Sequence, residues 1–206
     1  MASSSVVVAS ASPATDIQKQ FEVLPSVAGV PGWLGADSDV SIVIGGGPTG
    51  RRALWIFADT YISEYYASKE QRDWPGKQMP HSTVALVECT KPAVAAAAGV
   101  VQRECTAPPR FYWKTGEDNH TTKTFWVLPP SPPAPVKPLL WPVAGLASRD
   151  GTKVILLAQR ILGGLNLVGS DAIVIHDVTP DNPTKWTYKT TPILPRGSNG
   201  GTFSTQ

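Results

Sequence analysis

Charge is scarce in this chain, as are sulfur and long apolar runs. Only 17% of the 206 residues are charged, and the formal net charge is +2. The basic residues are scattered, so the electrostatic footprint of a nucleic-acid or membrane surface is missing, and neither partner is expected. No apolar run reaches the roughly 18 to 20 residues that a membrane-spanning helix needs. There are two cysteines, Cys89 and Cys105. No second Cys or His stands at ligand spacing, so no metal is expected. The two thiols are either bridged, in an oxidising compartment, or separately buried. No Gly-x-Ser-x-Gly elbow occurs, which leaves a serine hydrolase without its nucleophile. Residues 1–12 are small and apolar but have no basic n-region, so residues 1–25 read as a flexible tail rather than a signal peptide. Localisation stays open, secretion included. Asn119-His120-Thr121 is an acceptor sequon that has meaning only outside the cytoplasm.

Proline and glycine, by contrast, are abundant, at 20 and 18 residues. With so little charge, this describes short strands joined by turns: an all-β protein, in one domain over residues 26–206. The stretch over residues 32–62 shows it most clearly. A β-branched run at residues 39–44 and an aromatic-aliphatic run at residues 52–58 meet across Gly45-Gly46-Gly47-Pro48-Thr49-Gly50, a connector suited to closing a hairpin. The same glycines fit G-x-G-x-x-G, so flavin or nicotinamide binding through Gly45 and Gly50 is an alternative. That alternative demands a helix directly after Gly50, then a second strand ending in an acid about 20 residues on.

Further strands are expected at residues 83–88, 111–113, 124–128, 140–146, 153–160 and 170–175, with an edge strand at residues 186–188. Residues 63–80 read as a long loop or a short helical turn, and residues 94–105 as a strand or a helix. Residues 129–138 are a proline-rich loop insertion, unable to donate ladder hydrogen bonds. The order Trp33-Leu34-Gly35, strand, glycine turn, Leu54-Trp55-Ile56-Phe57, loop, strand is echoed by Trp141-Pro142, strand, Asp150-Gly151 turn, Val154-Ile155-Leu156-Leu157, loop, strand. A coarse repeat of antiparallel strands fits four-stranded β-propeller blades.

Gly35-Ala36-Asp37-Ser38-Asp39-Val40-Ser41-Ile42, Leu54-Trp55-Ile56-Phe57-Ala58-Asp59-Thr60 and His81-Ser82-Thr83-Val84 resemble the opening blade of five-bladed propeller domains related to glycoside hydrolases. Leu140-Trp141-Pro142 through Arg160, with Pro183 to Trp186, resembles their second blade. The resemblance covers about residues 33–195. Ala58 stands where that family has glycine, and His81 where it has asparagine. Because blades need roughly 40 to 60 residues each, the expectation is a partial propeller: about two blades and the start of a third. Such a piece exposes an apolar blade face, which calls for another chain or a continuation of this one to cover it.

The resemblance implies carbohydrate as the partner, with rim carboxylates acting across a sugar ring. It makes Asp37 the first-blade carboxylate and Asp59 its tuning partner or a sugar-hydroxyl ligand. Asp39 depends on register. Trp33, Trp55 and Trp141 are candidates to stack on sugar rings, His81 to donate to substrate, and Arg160 to pair with a carboxylate. A third-blade acid would lie beyond Gln206, so hydrolysis depends on missing blades. A non-catalytic interaction module is the alternative in another class. No cofactor is implied. Each candidate has a plain structural reading as well: an aspartate at a strand end caps a turn, and a strand tryptophan is core.

Overall fold

The computed structural model describes Phe21 and residues 32–37, 39–47, 50–63, 78–89, 105, 107–118, 121–128, 138–162 and 166–193. These form twelve strands and one short 3-10 turn, all strand pairing being antiparallel. The protein is all-β, as its turn-rich composition implied.

The first sheet contains β2 (Val40–Gly45), β3 (Arg51–Phe57), β5 (Thr83–Glu88) and β6 (Arg110–Tyr112), paired in that order. A two-stranded ribbon of β1 (Gly32–Ala36) and β4 (Thr60–Ser63) grows from its end. A second ribbon pairs β7 (Lys114–Thr115) with β8 (Thr122–Lys123). The second sheet contains β9 (Leu139–Ala147), β10 (Val154–Leu162), β11 (Asn166–Ile175) and β12 (Tyr188–Pro192), again in chain order. Both sheets are therefore four-stranded meanders.

Alternation sets the packing. Side chains of period two put Ile42, Ile44, Leu54, Ile56, Val84 and Leu86 on one face of the first sheet, and Val154, Leu156, Ala158, Ile173 and Ile175 on one face of the second. These faces meet in a shared core, with Phe125, Trp126, Val178 and Trp186 filling its margin. The leading strands lie side by side: a Cβ on Gly145 would strike Ile42 Cδ1, and Gly45 N donates to Gly151 O at 2.8 Å. Hence β2 and β9 run in the same direction, and the start of β2 shares an end of the molecule with the start of β9.

The opposite face of the first sheet is also covered. Trp33 stacks on Phe111 at 4.4 Å, and Phe21 meets Trp55 edge-on at 4.9 Å. Phe21, assigned to a flexible tail, thus has a packed position. Cys89 and Cys105 are joined in a disulfide beside Ala53, Val87 and Trp55.

Three expectations need correction. The chain after Gly50 is strand β3, paired with β2, not the helix that a dinucleotide phosphate requires; the run Leu54-Trp55-Ile56-Phe57 finds its partners in a ladder. Residues 124–128 are not a strand, since Phe125 and Trp126 are buried consecutively and give their amides to Ser82. The edge strand starts at Tyr188, because Trp186 ends the 3-10 turn Pro183–Lys185, with its indole donating to Pro180 O. The expectations for residues 64–77, 94–104 and 129–137 lie outside the described residues.

Candidate functional site

Three loops converge at the end of the first sheet where β2 begins. Asp37 follows β1, Asp59 lies in the tight turn between β3 and β4, and His81 precedes β5. Backbone bonds stitch the first two together: Asp37 N donates to Asp59 O and Ala58 N to Asp37 O, each at 3.1 Å. This extends the ribbon pairing beyond Ala36 and Thr60. The two aspartates are brought side by side by ladder geometry, not by chance proximity.

Their electrostatics follow from that placement. Partial desolvation, and then the neighbouring Asp59 charge, push the Asp37 carboxyl above the usual aspartate value, against the pull of backbone N–H groups from Asp59 and Asp37 itself. Asp59 Oδ1 lies 2.7 Å from His81 Nδ1, with both side chains partly exposed. With the proton on Nδ1, His81 donates to Asp59 and presents Nε2 outward as an acceptor. A carboxyl that holds its proton longer thus stands beside an oriented carboxylate–imidazole pair. Such a set can donate a proton from one side and accept one on the other.

Buried hydroxyls hold the loops. Thr60 Oγ1 donates to Ala58 O and shares a hydrogen bond with Thr83 Oγ1, both at 2.9 Å. Thr60 N donates to Pro80 O. Ser82, fully buried, accepts from Phe125 N at 3.0 Å and Trp126 N at 3.1 Å, and His81 N donates to Thr124 Oγ1. The rim is therefore anchored to the wedge that fills the core margin. Thr60, Ser82, Thr83 and Thr124 were not singled out as site residues. The signal available was the hydroxyl flanking each candidate, as in Asp59-Thr60 and His81-Ser82-Thr83.

Asp37, Asp59 and His81 come together; the other candidates have different surroundings. Asp39 is exposed just ahead of β2. Trp33 is engaged in the aromatic cluster with Phe21, Phe57 and Phe111, and its neighbour in that cluster, Trp55, packs against Ala53 and Val87. Both read as core. Arg160 does pair with a carboxylate: its guanidinium grips both oxygens of buried Asp171, with Nε to Oδ2 at 2.8 Å, on the inner face of the second sheet. Trp141 pairs with Gln159 on that sheet's outer face. Register puts both toward the same end of the molecule as Asp37, on different faces.

Among the described residues, no group of three or more His, Cys, Asp or Glu side chains is arranged to hold a metal ion, and no helix is long and apolar enough to cross a membrane. No family model matches the chain, and no curated protein or solved structure matches it either.

Proposed function

We propose that the chain is a partial β-propeller whose rim, built on Asp37, Asp59 and His81, binds carbohydrate, with glycoside hydrolysis where further blades complete the acid/base set. The observation that carries this reading is the convergence of the three residues on one end of the first sheet, with Asp37 made more basic beside an oriented Asp59–His81 pair. Two carboxyl groups in unlike environments are the pattern by which glycosidases divide acid and base roles. The architecture supports the propeller part: two meanders in chain order, with leading strands adjacent and running the same way, match neighbouring blades. The disulfide is in keeping with an oxidising, extracellular setting where glycans are met.

A binding module without catalysis is the second reading, and the exposure of Asp37 favours it. A carboxyl open to water gains little of the desolvation that strengthens acid catalysis.

Glycan-array binding by the purified chain, with Asp37→Asn and Asp59→Asn alongside, tests both. Binding weakened roughly tenfold or more by either substitution supports the rim site. Released reducing sugar from a bound glycan selects the hydrolase, and binding without release fits both the module and a hydrolase that needs further blades. No glycan bound, or binding indifferent to both substitutions, removes carbohydrate from the rim.

A further inference from the structure

Trp33 and Trp55 are used in the core, so neither offers the rim carboxylates an aromatic surface for a sugar ring. Another aromatic side chain does lie alongside them. Residues 78–81 extend the ribbon of β1 and β4 by one more antiparallel pairing: Ile62 and Gln78 exchange amide-to-carbonyl hydrogen bonds at 2.9 and 2.7 Å, and Thr60 N donates to Pro80 O at 3.1 Å. Met79 therefore stands opposite Tyr61, and His81 opposite Asp59. On the other side of β4, Gly35 is the register partner of Tyr61, and Asp37 N reaches Asp59 O. Alternation turns Thr60, Ile62 and Pro80 inward, where they are buried, and leaves their neighbours facing out. The outward face of this layer is thus two rows: Asp37, Asp59 and His81, and beside them Gly35, Tyr61 and Met79.

We propose that the row of Gly35, Tyr61 and Met79 is the floor of the rim site, on which a neutral pyranose lies with its C–H face against the Tyr61 ring. The floor so assigned depends on the carbohydrate reading of the rim, to which it adds a stacking residue and a class of sugar. Tyr61 is 44% exposed and Met79 45%. Single exposed apolar side chains are ordinary, but these two form a non-hydrogen-bonded cross-strand pair, where side chains approach most closely. Among the described residues, the Tyr61 hydroxyl has no hydrogen bond and its ring no aromatic neighbour, so nothing else occupies it. A Cβ on Gly35 would meet nothing within 4 Å, so the space beside the ring is open. Two residues along β4 span about 6.6 Å. A hexose seated on Tyr61 therefore brings its hydroxyls to Asp59 and Asp37, whose carboxylate oxygens accept hydrogen bonds from them. The same two carboxylates repel an acidic sugar, and a neutral one supplies the donors they lack.

The test applies the purified full chain to an array of neutral glycans and their sialylated and uronic-acid counterparts. Tyr61→Ala, Tyr61→Phe, Gly35→Val and Asp37→Asn are run alongside, each checked for folding by far-UV circular dichroism. Neutral glycans should bind, weakened roughly tenfold or more by Tyr61→Ala and rescued by Tyr61→Phe, because the ring and not the hydroxyl carries the stack. Gly35→Val fills the space beside the ring and should weaken binding as well, so the floor is probed from two strands and one misfolded variant does not end the experiment. Binding that Asp37→Asn weakens but that is indifferent to Tyr61→Ala and Gly35→Val overturns the Tyr61 floor while the rim reading stands. Binding confined to acidic glycans overturns it too. No glycan bound at all removes the floor and the rim reading together.

Discussion

Arg52 on the first sheet reaches Asp181 beyond the second, Nη1 to Oδ1 at 2.9 Å, yet the fully buried guanidinium and the 69% exposed carboxylate make an unequal pair. The stronger tie is Nη2, which donates to Val178 O at 2.8 Å and Thr179 O at 3.0 Å. Asp181→Asn should therefore change stability by less than about 0.5 kcal/mol, as exposed ion pairs do. Arg52→Ala removes the donor to both carbonyls and empties core volume, and should cost about 3 kcal/mol or more. Urea unfolding of the two variants checks the contrast; equal losses would show that the ion pair, not the carbonyl clamp, joins the sheets.

Ser82 links the rim to the core. In Ser82→Ala, the amide of Trp126 loses its hydroxyl acceptor in a buried place, and that of Phe125 keeps only the longer bond to Ser82 O. The expected cost is about 1 to 3 kcal/mol. His81, next in the chain, should lose its fixed setting toward Asp59, seen as a change in its imidazole NMR resonances. Unchanged resonances in a destabilised variant would confine Ser82 to a structural role.

The turn between β9 and β10 carries a pH-dependent contribution. Asp150 is lowered to about 2 by hydrogen bonds from Ser148 and from Thr152, both backbone and hydroxyl. A depressed aspartate adds stability that is present above its ordinary value of 3.8 and disappears as pH falls through the folded-state value. Asp150→Ala should lower the melting temperature at neutral pH and reduce its fall between about pH 4 and pH 2. Parallel acid limbs for variant and wild type would contradict this.

At the same turn, Gly151 has φ of 72°, and a Cβ there would run into the backbone of Gly45. Both effects oppose a side chain, so Gly151→Ala should cost about 2 to 4 kcal/mol. Chemical denaturation measures it, and a loss under about 1 kcal/mol would mean that the two leading strands separate easily.

The disulfide closes a loop with a sequence separation of 16. Chain entropy for a loop of that size gives about 3 kcal/mol, or roughly 6 to 12 °C in melting temperature for a domain this long. Cys89→Ser with Cys105→Ser should show that shift by calorimetry, and a reducing agent should reproduce it in the wild type only.

The strands were legible where apolar or β-branched runs are bounded by turn residues. Residues 153–160 read as a strand from the apolar run Val154-Ile155-Leu156-Leu157 after the Asp150-Gly151 turn, and β10 forms there, although only the structure shows that Val154, Leu156 and Ala158 face the core. The hairpin at Gly45 to Gly50 was legible from its glycines. Phe125 and Trp126 were misread because aromatic content reports burial without reporting how the backbone is paired. Trp186 was misread for the same reason, its indole being used to close a short turn.

For the site, Asp37, Asp59 and His81 were marked by the resemblance, each with a plain structural reading beside it, the aspartates as turn caps at strand ends. It did not show that Asp59 and His81, 22 residues apart, share a proton-bearing contact, because that depends on how the loops fold over one end of a sheet. Local pattern determined that the chain is all-β, since short apolar runs punctuated by glycine and proline turns are written into neighbouring residues. Which sheet covers which face and which hydroxyl holds which loop were decided only by tertiary packing. Those outcomes depend on free energies of contact between residues far apart in the chain, which no local pattern encodes.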